Sequence, residues 1–469
     1  IMKEVNSGGM KYLDAASLNL AVSITGLFSG LFIVMMGGFA DKLGRVKIAL
    51  LGIALGIVGS LLLVVATGPI ALPLIIAGRA IQGFSAACIM PSTMALVKTY
   101  WDGKGRQRAV SMWSIGSWGG SGLAALFGGA MIKFTPVGWR AIFIASIVIS
   151  VVAFLMILGT PESQVEQTGP RKAFDVVGLV LFIIGTLSLM IVLLYGSKLG
   201  WTNPVVLLLA VVGIVAYICF VLWEKRQSAP FIDFSLFKNT TFTGATISNF
   251  LLNGTIGILI VSQQLIQLAG CKAVRDAAGA CPAVQNYSAW DAGLLTLGYG
   301  IVIIAFIRVG EKLLQKFGPR KPMIWGSLIV IVSCILLMMT HLLIGQYVIL
   351  AIIAYCLFGL GLAFYATPST DAALSNLPAA QAGSGAGIYK MASSLGGAIG
   401  AAISLAVFTG LSTVPAEQIQ QIGDVIHMEG AQSNAALRLA GMVALGVNLV
   451  FLLLAITSIV MTVPKGGGS

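Results

Sequence analysis

Gly37-Gly38-Phe39-Ala40-Asp41-Lys42-Leu43-Gly44-Arg45-Val46-Lys47 joins two long apolar stretches, near residues 18–40 and 48–67. The pattern is G-x-x-x-D-K-x-G-R-x-K. Its glycines permit a tight turn, and one acid and three bases are packed into that turn. At the end of an apolar helix, Asp41 either caps the following helix or pairs with Arg45, and each contact would latch two membrane helices together. Gly37, Asp41, Lys42, Gly44, Arg45 and Lys47 are therefore the candidate gate latch. A merely basic loop would need the charge but not this ordered spacing.

Outward from the loop, the chain has 469 residues, 58% of them hydrophobic and 9% charged, with a mean hydropathy of +0.97. A soluble domain carries about 25% charged residues. Continuous apolar runs this long belong to an all-α polytopic membrane protein and not to a β-barrel. Windows of membrane-spanning length give thirteen helices: near 18–40, 48–67, 72–100, 110–132, 141–160, 174–196, 203–223, 241–268, 291–309, 323–341, 346–368, 384–410 and 437–463. With the Asp41–Lys47 loop placed in the cytoplasm, nineteen Lys and Arg fall on that side, eight fall on the other and Arg79 lies inside a span. This asymmetry fixes the orientation and assigns the net charge of +12 to topology, with no nucleic-acid partner expected. It also puts the residues before 18 outside, so one further helix is expected ahead of them.

The chain repeats itself. Pro91-Ser92-Thr93-x-Ala95 returns as Pro368-Ser369-Thr370-x-Ala372, and Gly119-Gly120 returns as Gly396-Gly397, both 277 residues later. Two pseudo-symmetric six-helix bundles follow, as in transporters built from repeated helix sets. The expected division is 1–165 for the first bundle (lacking its first helix), 166–235 for an inserted helix pair with linkers, 236–465 for the second bundle and 466–469 for an appended linker. Aligning Gly318 with Gly44 puts Gln315 at the Asp41 position and Pro319 at the Arg45 position, so the latch chemistry is expected mainly in the first half.

Ionisable groups inside spans are costly and mark function by default. Arg79, with Gln82 one turn on, is a candidate for coupling protonation to helix movement. Lys390 and Asp371 make a candidate ion pair, and Arg308 with Glu311, three residues on, makes another. Asn249, Asn253, Gln263, Gln264 and Gln267 recur at helical spacing in one span, where they either line a substrate path or bind helices together. Trp113, Trp118, Tyr299, Tyr365 and Tyr389 are candidates for an aromatic pocket. Dense glycine from Gly116 to Gly129 allows close helix contact. Cys88, Cys219, Cys334 and Cys356 read as packing residues. Cys271 and Cys281 flank a polar stretch and form a candidate disulfide if it faces outward. With only His341 and His427, no metal site is expected. There is no Walker loop and no serine-hydrolase constellation, so an enzyme is excluded, no cofactor is expected, and energy must come from a gradient.

The opening loop resembles the one between the second and third helices of major facilitator superfamily transporters. Residues Ser85–Thr93, Trp113–Gly120, Gly244–Gly254 and Arg308–Gln315 resemble the Nor-type quinolone and multidrug efflux pumps of the fourteen-helix, QacA-like drug:H+ antiporter branch, and the likeness covers nearly the whole chain. It implies a multi-pass protein of the bacterial cell membrane, acting as a monomer in the lipid bilayer. Proton-driven export of small amphipathic compounds by alternating access is the implied function. The chain departs from the family pattern in five places. Ser23 stands where the second helix carries an acid, and Lys390 stands near the acid of the thirteenth. Ala124-Ala125 replaces a Gly-Pro pair, and the segments Cys271–Trp290 and Leu411–Leu437 are long. A carrier or flippase for a lipid, glycolipid or anionic metabolite is the alternative that Lys390 favours, and a non-transporting receptor or scaffold is the rival from another class.

Overall fold

The computed structural model describes residues 15–163, 175–227, 230, 232–269, 287, 289–377, 381–412 and 434–465. The proposed Cys271–Cys281 disulfide and most of both long segments lie outside these residues. The helices are α1 (Ala15–Leu43), α2 (Arg45–Val64), α3 (Ala71–Tyr100), α4 (Gly103–Ser114), α5 (Gly120–Phe134), α6 (Arg140–Ile157), α7 (Val176–Leu199), α8 (Pro204–Glu224), α9 (Thr240–Gly254), α10 (Gly257–Ala269), α11 (Ala289–Leu295), α12 (Leu297–Phe317), α13 (Arg320–Met338), α14 (Ile344–Ser375), α15 (Ala382–Ser412) and α16 (Ala435–Thr462). Twelve helical runs among the described residues are long and apolar enough to cross a membrane. The run from α4 to α5 is the thirteenth expected span, interrupted by a π-helical segment at Ile115–Gly119.

Local chemistry sets the boundaries. Gly44 (φ 119°) and Gly318 (φ 72°) take left-handed backbone at the α1–α2 and α12–α13 turns, where a side chain would be strained. Asn203 and Asn239 accept hydrogen bonds from Val205 N (2.9 Å) and Phe242 N (3.0 Å), capping α8 and α9. Arg140, opening α6, donates to the carbonyls of Val64, the last residue of α2, and of Ala66 just beyond it. Arg438, near the start of α16, does the same for Thr340, His341 and Leu342 beyond α13. Each cation meets the negative end of a helix, once in each half. Met156 and Met461 are each 78% exposed, and apolar exposure of this size suits side chains that face lipid.

Helices α1 to α6 pack on one another, as do α9 to α16. The pair α7–α8 packs on itself and touches α1 and α15 through α7, so it stands beside the seam between the two groups. The seam is close-packed. A methyl on Gly37 would lie 2.4 Å from the Gly383 carbonyl oxygen, and one on Gly387 2.9 Å from the Ile33 carbonyl oxygen. These glycines bring α1 and α15 into backbone contact. On the other side of the molecule α4 and α5 pack on α11, α12 and α14.

Candidate functional site

The candidate site is the end of the seam where the basic loops gather. The aspartate carried by α1 lies two residues from the helix end and is buried, and α2 begins with the arginine that completes an i,i+4 pair. Arg45 Nε and Nη2 donate to Asp41 Oδ1 at 3.0 and 2.8 Å. The remaining acceptor capacity of Asp41 goes across the seam. Gly383 N donates to both carboxylate oxygens, at 3.0 and 2.9 Å, and Ser384 N donates to Oδ2 at 3.1 Å. Both amides belong to the first turn of α15. Asp41 thus caps the positive end of a helix from the other half of the chain, and a carboxylate bound by a guanidinium and two amides has charge-assisted bonds on every side.

Of the two expected contacts the Arg45 pair is formed and the cap on α2 is not. Asp41 caps α15 and not α2, because Glu162 already occupies the start of α2. Glu162 Oε1 accepts from Val46 N (2.9 Å) and Oε2 from Lys47 N (3.1 Å), while Arg45 N donates to the Ser163 carbonyl (2.9 Å). The turn needs Gly44 for this too, since a methyl there would lie 2.6 Å from the Glu162 carboxylate. Replacing Glu162 with Ala leaves two first-turn amides without an acceptor, so a loss of about 1–2 kcal/mol and a lower apparent Tm in detergent are expected. An unchanged Tm would show that water replaces the carboxylate at no cost. Arg45 Nη1 also reaches Thr99 Oγ1 and Ser163 Oγ, which fixes the guanidinium between α2 and α3.

Two further cross-seam contacts lie on the same face. Lys98 Nζ, from α3, donates to the carbonyls of Leu374 (2.6 Å) and Leu377 at the end of α14. Arg106 Nε, from α4, pairs with Asp371 Oδ1 of α14 at 3.0 Å, and Gln107 Nε2 approaches Oδ2 at 3.5 Å. A carboxylate on one helix start, a lysine on one helix end and a side-chain ion pair therefore bolt the halves together. At the opposite end the bundles meet through Phe134 and Trp290, whose rings lie 5.4 Å apart, with Lys133 Nζ 5.0 Å above the indole.

The expected Lys390–Asp371 pair is not formed. Asp371 lies one turn from the end of α14, about 6 Å deep, whereas Lys390 lies eight residues into α15, about 12 Å deep. The depth mismatch leaves Asp371 to Arg106. Lys390 is buried, and its Nζ lies 4.3 Å from the centre of the Trp113 ring and 5.7 Å from that of Tyr389. Trp113 is held in turn by a 3.1 Å bond from Nε1 to Thr93 Oγ1. Cation–π contact contributes about 0.5–2 kcal/mol, against several for desolvating an ammonium, so Lys390 is under-compensated here.

Arg79 donates to the Ala21 carbonyl (3.3 Å) and to Gln82 Oε1 (3.0 Å), and Gln82 passes the chain on to Ser60 Oγ (3.0 Å). Arg308 Nη1 meets Glu311 Oε2 at 2.5 Å, within the single helix α12, and Gln315 joins Glu311 at 3.2 Å. Asn249 donates to the Tyr389 carbonyl (2.9 Å), and Asn253 donates to Asn249. Tyr365 and Tyr389 bond through Ser369 with no exposed surface, and Tyr299 packs edge-on to Phe358. The Arg79, Gln82, Asn249 and tyrosine contacts bind helices together, whereas the Arg308–Glu311–Gln315 set stays within α12. Gln263, Gln264 and Gln267 are half-buried on α10, and Trp118 is buried in the adjoining π segment. Sequence reasoning missed Glu162, counted Lys98 and Arg106 only as loop charge, and had no local signal for their partners. No group of three or more His, Cys, Asp or Glu among the described residues is placed to hold a metal.

The family model described as Major Facilitator Superfamily matches residues 2–401. The quinolone resistance protein NorB of Staphylococcus aureus strain MRSA252 is 49% identical over 401 residues, which cover 86% of this chain and 82% of the relative, and the NorB of strain Newman matches to the same extent. Among solved structures, the human organic anion transporter MFSD10 aligns with a TM-score of 0.61 at 14% identity, over 94% of this chain and 83% of that one. The proton:xylose symporter XylE also gives 0.61 at 14% identity, over 100% and 91%. These two likenesses bear on the fold alone.

Proposed function

Because the chain belongs to the Major Facilitator Superfamily, we propose that it exports amphipathic drug-like compounds, quinolones among them, in exchange for protons. It is a multi-pass transporter of the cell membrane and needs no cofactor. The basic face is cytoplasmic in this proposal, following the distribution of Lys and Arg. The observation that carries it is Asp41 bound to the first turn of α15: a buried carboxylate of one half held by two amides of the other. Those bonds exist only while this face is closed, so they bias the closed state by their whole strength. Lys98 and the Arg106–Asp371 pair act in the same direction.

Asp371 is the proposed proton-sensitive bolt. Ionised, it holds Arg106 and keeps α4 on α14, whereas protonated it loses the ion pair and the contact loosens. Arg79 and Gln82 link α1, α2 and α3 within the first half and are proposed to pass such a movement on. Arg308 and Glu311, paired within α12, are proposed to take part in the coupling in the second half. Gln263, Gln264 and Gln267 are proposed to line the path of the substrate.

The test is transport by the purified protein in proteoliposomes with an imposed pH gradient, using a lipophilic cationic dye. Gradient-dependent dye movement that a protonophore abolishes is expected. Dye movement independent of the gradient would overturn proton coupling. No flux at all, with a partner protein retained through purification, would favour a receptor or scaffold.

A further inference from the structure

Lys390 stands out among the buried charges. Among the described residues Asp41, Arg45, Asp371, Glu311 and Arg438 each meet an opposite charge or a set of backbone groups, and Asp175 caps α7. Lys390 is 3% exposed, and ring faces are its only described partners. Its place is also particular. Lys390 is on α15, in the second half, and Trp113 is on α4, in the first, so their contact straddles the seam that opens and closes during transport. The indole is fixed by Thr93, and the π-helical segment begins two residues after it, an irregularity that recurs at functional positions. Ser111, Ser114 and Ser117, on the same stretch of chain, have buried hydroxyls with no hydrogen-bond partner. A buried ammonium without an anion among its described partners, set against an aromatic plane, is the complement of an aromatic molecule bearing one negative charge.

We infer that Lys390 anchors the carboxylate of an amphipathic aromatic substrate, with Trp113 as the ring against which its aromatic body packs. The inference rests on the transport reading and specifies part of its substrate range. In the closed seam Trp113 shields the ammonium, and when the seam loosens a carboxylate takes its place beside Lys390. One cation matches one negative charge, which favours a monocarboxylate over a phosphate dianion. A ligand held by α15 and packed on α4 touches both halves, so its binding is felt in the equilibrium between open and closed states.

The experiment uses the full-length protein in detergent and follows quenching of tryptophan fluorescence by 1-pyrenebutyrate and by its uncharged primary amide. The wild type is expected to bind the acid about tenfold more tightly than the amide, or better. Lys390→Gln is expected to bring that ratio close to one, and Lys390→Arg to keep it above that of Lys390→Gln. Because each variant is judged on a ratio of two ligands, partial loss of folded protein does not imitate the effect. Trp113→Phe is expected to weaken both ligands and leave the ratio in place. A wild-type ratio near one, or a ratio that Lys390→Gln does not change, overturns the inference. Dye transport by wild-type proteoliposomes separates the two claims. If the dye moves with the gradient and the ratio is one, only the carboxylate anchor fails. If the dye does not move, the transport reading on which it rests fails as well.

Discussion

Asp41→Asn is expected to lower gradient-driven transport by on the order of a hundredfold while leaving the protein in the membrane. Charge-assisted hydrogen bonds contribute about 1.5–3 kcal/mol each, and Asp41 accepts two from α15 in addition to the Arg45 pair. Losing about 3 kcal/mol from one state alone shifts a two-state equilibrium by roughly a hundredfold. The substitution also strips Arg45 of its counter-charge while it remains buried, and breaking one side of a buried pair costs about 3–5 kcal/mol. An asparagine amide has one acceptor oxygen and turns an N–H group toward a helix start that is already rich in donors. Asp41→Glu keeps the charge but lengthens the side chain against Gly383, where a methyl would already lie 2.5 Å from the carboxylate, so an intermediate rate is expected. Initial rates per mole of reconstituted protein check this, with surface biotinylation or fractionation to show insertion. Wild-type flux from Asp41→Asn would remove the latch from the mechanism.

The Arg106–Asp371 bolt carries the second large effect. Arg106→Ala leaves a buried carboxylate with the Gln107 amide and the more distant charge of Lys98 but no ion pair, and Asp371→Asn leaves a half-buried guanidinium without its partner. Each single change is expected to reduce proton-driven transport by about tenfold or more, corresponding to about 1.4 kcal/mol or more. Since both remove the same interaction, the double variant should be scarcely worse than either single one. The exchanged pair Arg106→Asp with Asp371→Arg should recover part of the rate, because the two helices face each other across the seam whichever way the charges run. Strictly additive losses with no recovery on exchange would mean that the two residues act separately.

Much of the fold was legible along the chain, since a membrane span announces itself in a window of its own residues. Helices run through all thirteen expected stretches, twelve of them long and apolar enough to cross a membrane, and the turns at Gly44 and Gly318 fall where the glycines stand. The π segment at Ile115–Gly119 was not legible, because the glycine-rich run fits close packing in any helical register. At the site the legible part was local. Arg45 follows Asp41 at i+4, and Glu311 follows Arg308 at i+3, and both pairs are formed. The cross-seam partners were not legible. Gly383 lies 342 residues from Asp41 and contributes only backbone amides, which every residue but proline carries. Asp371 had several cations in reach of speculation, and depth within the helices, not residue type, selects Arg106 over Lys390. Glu162 is a lone acid in a basic loop, a signal that reads equally well as solvated charge until the start of α2 is placed beside it.

The central claim is that the face carrying Asp41, Lys98 and Asp371 opens and closes during transport, held shut by these contacts. Its most direct test is a pulsed electron-paramagnetic-resonance distance between spin labels at Lys42 and Ser375, two exposed positions on opposite sides of the seam. The wild type is predicted to give a short distance as its main population and a longer one as its minor population, and Asp41→Asn is predicted to reverse their weights. A single distance, identical in the wild type and in Asp41→Asn, would contradict the account.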